Sequence, residues 1–149
     1  AAQTGDADAA LQAGLMRLSG EAGDPDPSEG FALVRQAAEL GHPGAMGQYA
    51  LLLFQGGPAW AANGALAADF ARRGARAGDP ESQLLYAYAL ATADGTPRDL
   101  EAAYVWVRRA AAGLPDDPQR RQLEAGIAAT LSPEARARAE AEAAIAPGL

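Results

Sequence analysis

The sequence predicts an all-α protein assembled from stacked helix-turn-helix repeats. Three observations carry that prediction: a recurring unit of 36 to 37 residues, a helical apolar period inside each half unit, and Gly/Pro punctuation between the halves. The period shows in a bulky residue four positions before a small pair. Leu33 precedes Ala37-Ala38, Phe70 precedes Gly74-Ala75 and Trp106 precedes Ala110-Ala111, at spacings of 37 and 36 residues.

Each unit divides into two helices. The first halves are Ala9-Ala10-Leu11-Gln12-Ala13-Gly14-Leu15-Met16, Gly47-Gln48-Tyr49-Ala50-Leu51-Leu52 and Ser82-Gln83-Leu84-Leu85-Tyr86-Ala87, running to turns at Gly20, Gly56-Gly57 and Gly95. The second halves repeat apolar residues at i, i+3, i+4 and i+7, as in Leu100, Ala103, Tyr104, Val107 and Ala111, so strands are excluded. Inside the units, Asp24-Pro25-Asp26-Pro27-Ser28, Gly56-Gly57-Pro58 and Asp94-Gly95-Thr96-Pro97 stop one helix, and Ser28 or Asp99 can cap the next. Between units, Gly41-His42-Pro43, Gly78-Asp79-Pro80 and Gly113-Leu114-Pro115 place a helix-terminating Gly just before Pro. The repeats therefore occupy about 6–43, 44–79 and 80–115, and 116–146 reads as a C-terminal capping helix pair. Asp117-Pro118 opens its first helix and Ser132-Pro133-Glu134 its second, whose Ala, Arg and Glu suit the polar end of a stack.

Composition bounds the chemistry. The 149 residues are 49% apolar with no cysteine, one histidine and a net charge of -7, which suits one globular domain without disulfides or thiolate metal sites. No apolar run reaches the ~18 residues of a membrane span, so a soluble chain is expected. All 12 basic residues are arginine, and the acidic balance argues against nucleic acid as a partner. Residues 1–29 hold six carboxylates against Arg17 alone, a solvated end face or a dock for a basic partner. The chain begins Ala1-Ala2-Gln3 without an initiator Met or leader, as a trimmed chain or a mature form cleaved at small residues would.

The run Ala7 to Gly20 resembles the first half of a Sel-1-like repeat, a relative of the tetratricopeptide repeat. Gly95-Thr96-Pro97-Arg98-Asp99-Leu100-Glu101-Ala102-Ala103, with Trp106 and Ala110-Ala111, resembles its second half. The resemblance spans about 110 residues. It departs at Leu52 and Ala87, set where the family has a small Gly, at Leu33 in place of an aromatic, and in a middle-unit loop about one residue short. Leu52 should push neighbouring helices apart and rotate that unit. The resemblance implies a right-handed α-solenoid, an α-α superhelix with first helices lining a concave face, and a non-enzymatic adaptor or scaffold binding a peptide or partner protein. It also implies a bacterial, periplasmic or secreted location, with the cytoplasm as alternative. The other readings are a structural subunit of a larger assembly and a small cell-wall-related hydrolase; the latter rests on cysteine-rich members of the family, whose cysteines are missing here.

No catalytic, cofactor-binding or metal-binding residues are expected. His42 sits in a linker and reads as a solvated turn residue, while Asp24 and Asp26 with Glu21 and Glu29 read as capping and turn residues rather than a calcium site. Arg72-Arg73 with Arg76, and Arg108-Arg109, fall in last helical turns, where cations oppose the helix dipole. Trp60 lies outside the repeat pattern, as a core staple or an exposed contact. By analogy with tetratricopeptide grooves, the expected partner-binding residues are Leu15 and Ser19, Tyr49 and Leu53, and Tyr88 and Thr92, each pair spaced i, i+4 on one helix face. Solvent exposure of Tyr49 and Tyr88 decides that assignment.

Overall fold

A computed structural model describes residues 2–21 and 23–145. The helices are α1 (Ala2–Ser19), α2 (Pro27–Glu39), α3 (Pro43–Gln55), α4 (Gly64–Arg76), α5 (Pro80–Thr92), α6 (Leu100–Arg109), α7 (Pro118–Thr130) and α8 (Pro133–Ala143). A 3-10 turn, Ala110–Ala112, extends α6. Among the described residues there is no strand, only an isolated bridge between Gly57 and Trp60.

The helix starts are written in side chains. Asp26, His42, Asn63, Asp79, Asp99, Asp117 and Ser132 each accept a hydrogen bond from the backbone N–H three residues on, satisfying a donor that the helix leaves orphaned. Proline follows directly in α2, α3, α5, α7 and α8, where its missing N–H costs nothing. Two expectations change here. Asp26 rather than Ser28 caps α2, and His42 is a cap rather than a solvated turn residue: its Nδ1 accepts from Ala45 N at 3.1 Å, with Nε2 3.4 Å from Asp8 of α1.

One hydrogen bond recurs in every repeat and sets the register. The N-cap N–H of each second helix reaches back to a carbonyl of the first: Asp26 to Arg17, Asn63 to Leu53 and Asp99 to Leu90, at 2.9, 2.8 and 2.9 Å. Counted from these anchors, the small crossing residues are Gly14, Ala50 and Ala87, all buried. Leu52 stands two residues beyond the small position, half-buried, and does not splay the middle unit, whose anchoring bond matches the others. The middle connection, 56–63, is one residue longer than 20–26 and 93–99, not shorter. That extra length carries Trp60. Its indole Nε1 donates to Leu52 O at 2.8 Å and its ring stacks on Phe31 of α2 at 4.7 Å, so it clasps the first two units together.

Packing follows the repeat. Val34, Ala71 and Val107 are fully buried at equivalent positions, with Phe70 and Trp106 buried beside them and Leu33 half-buried. One core cluster spans α1 to α4 and a second joins α5, α6 and the C-terminal helices. Among the first helices, the inner row of the stack, α3 lies against α5 while α1 scarcely meets α3, and α2, α4 and α6 barely meet one another and wedge against the next first helix. At the joint of the second and third units the first helices are crowded and the second helices spread, which curves the stack toward the first helices there.

Gly41 and Gly78 end the second helices of units one and two in the left-handed region, at φ 92° and 93°. Gly113 does not follow: its φ is -102°, and the 3-10 turn closes α6 instead. The end of the stack also breaks the pattern. Within 116–146, whose last residue lies outside the described ones, α7 and α8 do not fold as a hairpin; α8 crosses back onto α6 and scarcely meets α7.

Candidate functional site

The anchor carbonyls of Arg17, Leu53 and Leu90 also order the surface of the inner row. Two residues before each anchor stand Leu15, Leu51 and Tyr88, all partly exposed. Two residues after each stand Ser19, Gln55 and Thr92, all exposed, and five before stand Gln12, Gln48 and Leu85. Residues three and four apart share a helix face. Each first helix thus offers an apolar side chain between residues that are mostly amide or hydroxyl bearing, and the three helices repeat the offer in parallel.

Four of the six expected contact residues fall in this stripe: Leu15, Ser19, Tyr88 and Thr92. Tyr49 and Leu53 do not, and the expectation for them is corrected. They are only 4% and 3% exposed. The Tyr49 ring packs edge-on to Phe70 at 4.8 Å and tilts against Phe31 at 5.5 Å, at the centre of the first core cluster. Burial raises its phenol above the ordinary tyrosine value, with Arg35 opposing and Glu39 adding to the shift. The equivalents of Leu15 and Ser19 in the middle helix are Leu51 and Gln55, each two residues beyond Tyr49 and Leu53. Cap spacing alone misses them by one residue, because the middle connection is one longer; the bond from Asn63 N to Leu53 O fixes their register.

The hydroxyls of the stripe are tied back to their own helices. Ser19 Oγ donates to Met16 O at 3.2 Å and accepts from Glu21 N at 3.3 Å, while Thr92 Oγ1 donates to Tyr88 O at 2.7 Å. Along α1, an open depression of about 480 Å³ is lined by Gln12, Leu15, Met16, Leu18, Ser19 and Glu21. Met16 is 41% exposed there and adds a flexible apolar thioether.

Other groups singled out by chemistry have structural duties. Trp60 is the staple described above, with its ring partly buried. Arg73 lies over the Phe70 ring at 4.5 Å and Arg109 over Trp106 at 4.6 Å, so these arginines cover the aromatic of their own repeat. Asp69 pairs with Arg72 at 2.9 Å. Among the described residues no three His, Cys, Asp or Glu side chains gather as a metal site, and no helix is long and apolar enough to cross a membrane.

No family model and no curated protein matches the sequence. Solved structures do resemble it. A Sel1 repeat protein from Oxalobacter formigenes superposes with a TM-score of 0.70 at 24% identity, covering 81% of this chain and 90% of that one. The chain is also similar to c5321, a protective antigen present in uropathogenic Escherichia coli strains and displaying an SLR fold, with a TM-score of 0.54 at 15% identity over 95% of this chain and 38% of that one. The likeness at such identities is one of architecture, and with the anchored helix pairs and curved inner row it establishes the fold of this chain as the Sel1-repeat α-solenoid.

Proposed function

We propose that the chain is a non-catalytic interaction scaffold that holds a protein partner's extended segment along the inner row of first helices. One observation carries the reading: equivalent positions of three stacked helices present Leu15, Leu51 and Tyr88 half-exposed, flanked by Gln12, Gln48, Ser19, Gln55 and Thr92. Leu15 and Tyr88 pack one side against the core clusters and leave the other open. Apolar side chains between amides and hydroxyls suit a peptide, whose side chains want pockets and whose backbone wants donors and acceptors. Tyr88 supplies a rigid amphipathic anchor of the sort that dominates such contacts. The net charge of -7 favours a protein partner over nucleic acid.

Selection from a random peptide library tests this. Peptides enriched by the native chain are expected to lose binding at least tenfold to a Leu51→Arg, Tyr88→Ala double variant with an unchanged unfolding midpoint. Enriched peptides that bind the double variant equally well would place the contact elsewhere, and failure to enrich any peptide would remove the reading.

A further inference from the structure

The middle of the inner row is free of charge. In a chain that is 21% charged, residues 43–68 contain no Asp, Glu, Arg, Lys or His, and that stretch includes the whole of α3. In α5 the single charge is Glu81, about two turns before Tyr88. The charges of these two units stand on the second helices instead, as in Asp69, Arg72 and Arg73 of α4 and Glu101, Arg108 and Arg109 of α6. A charged ligand lying on α3 and α5 would lose hydration with nothing to pair against, so the complement of this face is an uncharged segment.

The polar groups of the face are uncommitted. Among the described residues no hydrogen bond engages the side-chain amides of Gln48 and Gln55 or the hydroxyl of Tyr88, whereas the buried amide of Gln83 donates to Ala75 O at 3.2 Å. Amide and phenol donors need acceptors. A polyproline II segment has no internal hydrogen bonds and offers every carbonyl, while an α-helix keeps its carbonyls for itself and would leave Gln48 and Gln55 unmet.

Spacing selects the same conformation. Since α3 lies directly against α5, and packed helices stand about 8–10 Å apart, the equivalent side chains Leu51 and Tyr88 repeat at about that interval. A polyproline II segment laid across the helices advances ~9.3 Å in each three-residue turn, so every third side chain meets the next helix. A β-strand returns a side chain to one face every ~6.6–6.8 Å and falls out of step within one repeat. Leu15 lies outside this period, because α1 stands off from α3.

We propose that the α3–α5 part of the inner row binds an uncharged, proline-rich segment of a partner protein in the polyproline II conformation. The inference rests on the reading of the inner row as a peptide site. One apolar side chain or proline ring packs on Leu51 and another, three residues along, on the Tyr88 ring, as aromatic-lined grooves receive such segments. Gln48 and Gln55 donate to the carbonyls between them.

A labelled peptide of repeated Leu-Pro-Gln triplets tests this by fluorescence anisotropy on the full chain. Saturable binding is expected, at least tenfold tighter than that of a peptide of the same composition with its leucines at alternate positions. It should change less than twofold between low and high salt. Gln48→Ala with Gln55→Ala, which leaves the apolar side chains in place, is expected to weaken it at least threefold without moving the unfolding midpoint. Equal binding of the alternate-leucine peptide, or tighter binding of an uncharged helix-forming peptide, would overturn the polyproline II assignment. The peptide site itself stands if that binding is lost in the Leu51→Arg, Tyr88→Ala variant. No binding by any of the three, while library-selected peptides bind the inner row, overturns this proposal alone; a library that yields no binder removes the peptide site as well.

Discussion

Ala93 sits in the left-handed region, at φ 60° and ψ 36°, three residues after the anchor carbonyl of the third repeat. The equivalent turn positions of the other repeats are Gly20 and Gly56, at φ 83° and 70°. A side chain in that region costs ~1–2 kcal/mol, and glycine recovers it less the ~0.5–1 kcal/mol of extra freedom it loses on folding. The Ala93 methyl is exposed, so no packing is lost with it. Ala93→Gly is therefore expected to stabilise the chain by about 0.5–1 kcal/mol, a rise of roughly 1–4 °C in Tm for a domain of this size. Calorimetry and urea titration measure it, with the slope against urea unchanged. The converse, Gly56→Ala, should destabilise, because its Cβ would add left-handed strain and approach Ala62 N at 3.1 Å. A Tm for Ala93→Gly that is unchanged or lower would refute the reasoning, by showing that the third turn does not need the left-handed conformation.

Truncating Trp106, buried with its ring edge-on to Tyr86 at 5.8 Å, to alanine should cost ~3–5 kcal/mol in urea unfolding, and a loss below ~1 kcal/mol would mean the repeat register is wrong. Trp60→Phe keeps the stack on Phe31 but deletes the bond to Leu52 O, so a loss of about 1 kcal/mol is expected from the same titration. Hydrogen bonding from Arg138 holds the Glu101 carboxyl below the ordinary glutamate value of 4.5, so the tie between α8 and α6 is fully present above that pH and lost as pH falls through the lowered value. Amide exchange across α8 should accordingly accelerate on acidification before the rest of the fold loosens, and uniform loosening of all helices would contradict this.

Much of the architecture is legible in the sequence because local chemistry repeats with the fold. Asp79-Pro80, Asp117-Pro118 and Ser132-Pro133 announce helix starts without reference to anything distant. The inner row was half legible for a different reason. Leu15 and Tyr88 each directly follow a small crossing residue, Gly14 and Ala87, whereas the crossing residue of the middle helix is Ala50, two residues before Leu52 where the resemblance sets it. Tyr49 and Leu51 are equally apolar, and only the tertiary anchor separates core from surface. The route of α8 was not legible at all. Its alanine face fits any helix, and the choice of α6 over α7 is made by Glu101 and Arg109, which lie more than 30 residues away in the chain.

The inner row is not stacked evenly. α3 lies against α5, whereas α1 stands off from α3, joined to the second unit chiefly through α2 and the Asp8–His42 contact. Mechanically this makes the molecule a spring of unequal stiffness, with the first joint more compliant than the second. Bending is expected to concentrate there, with the distance between Leu15 and Leu51 varying more than that between Leu51 and Tyr88. A ligand lying along all three would be gripped at constant gauge at one end and at adjustable gauge at the other, which tolerates variation in length or bulk on the N-terminal side only.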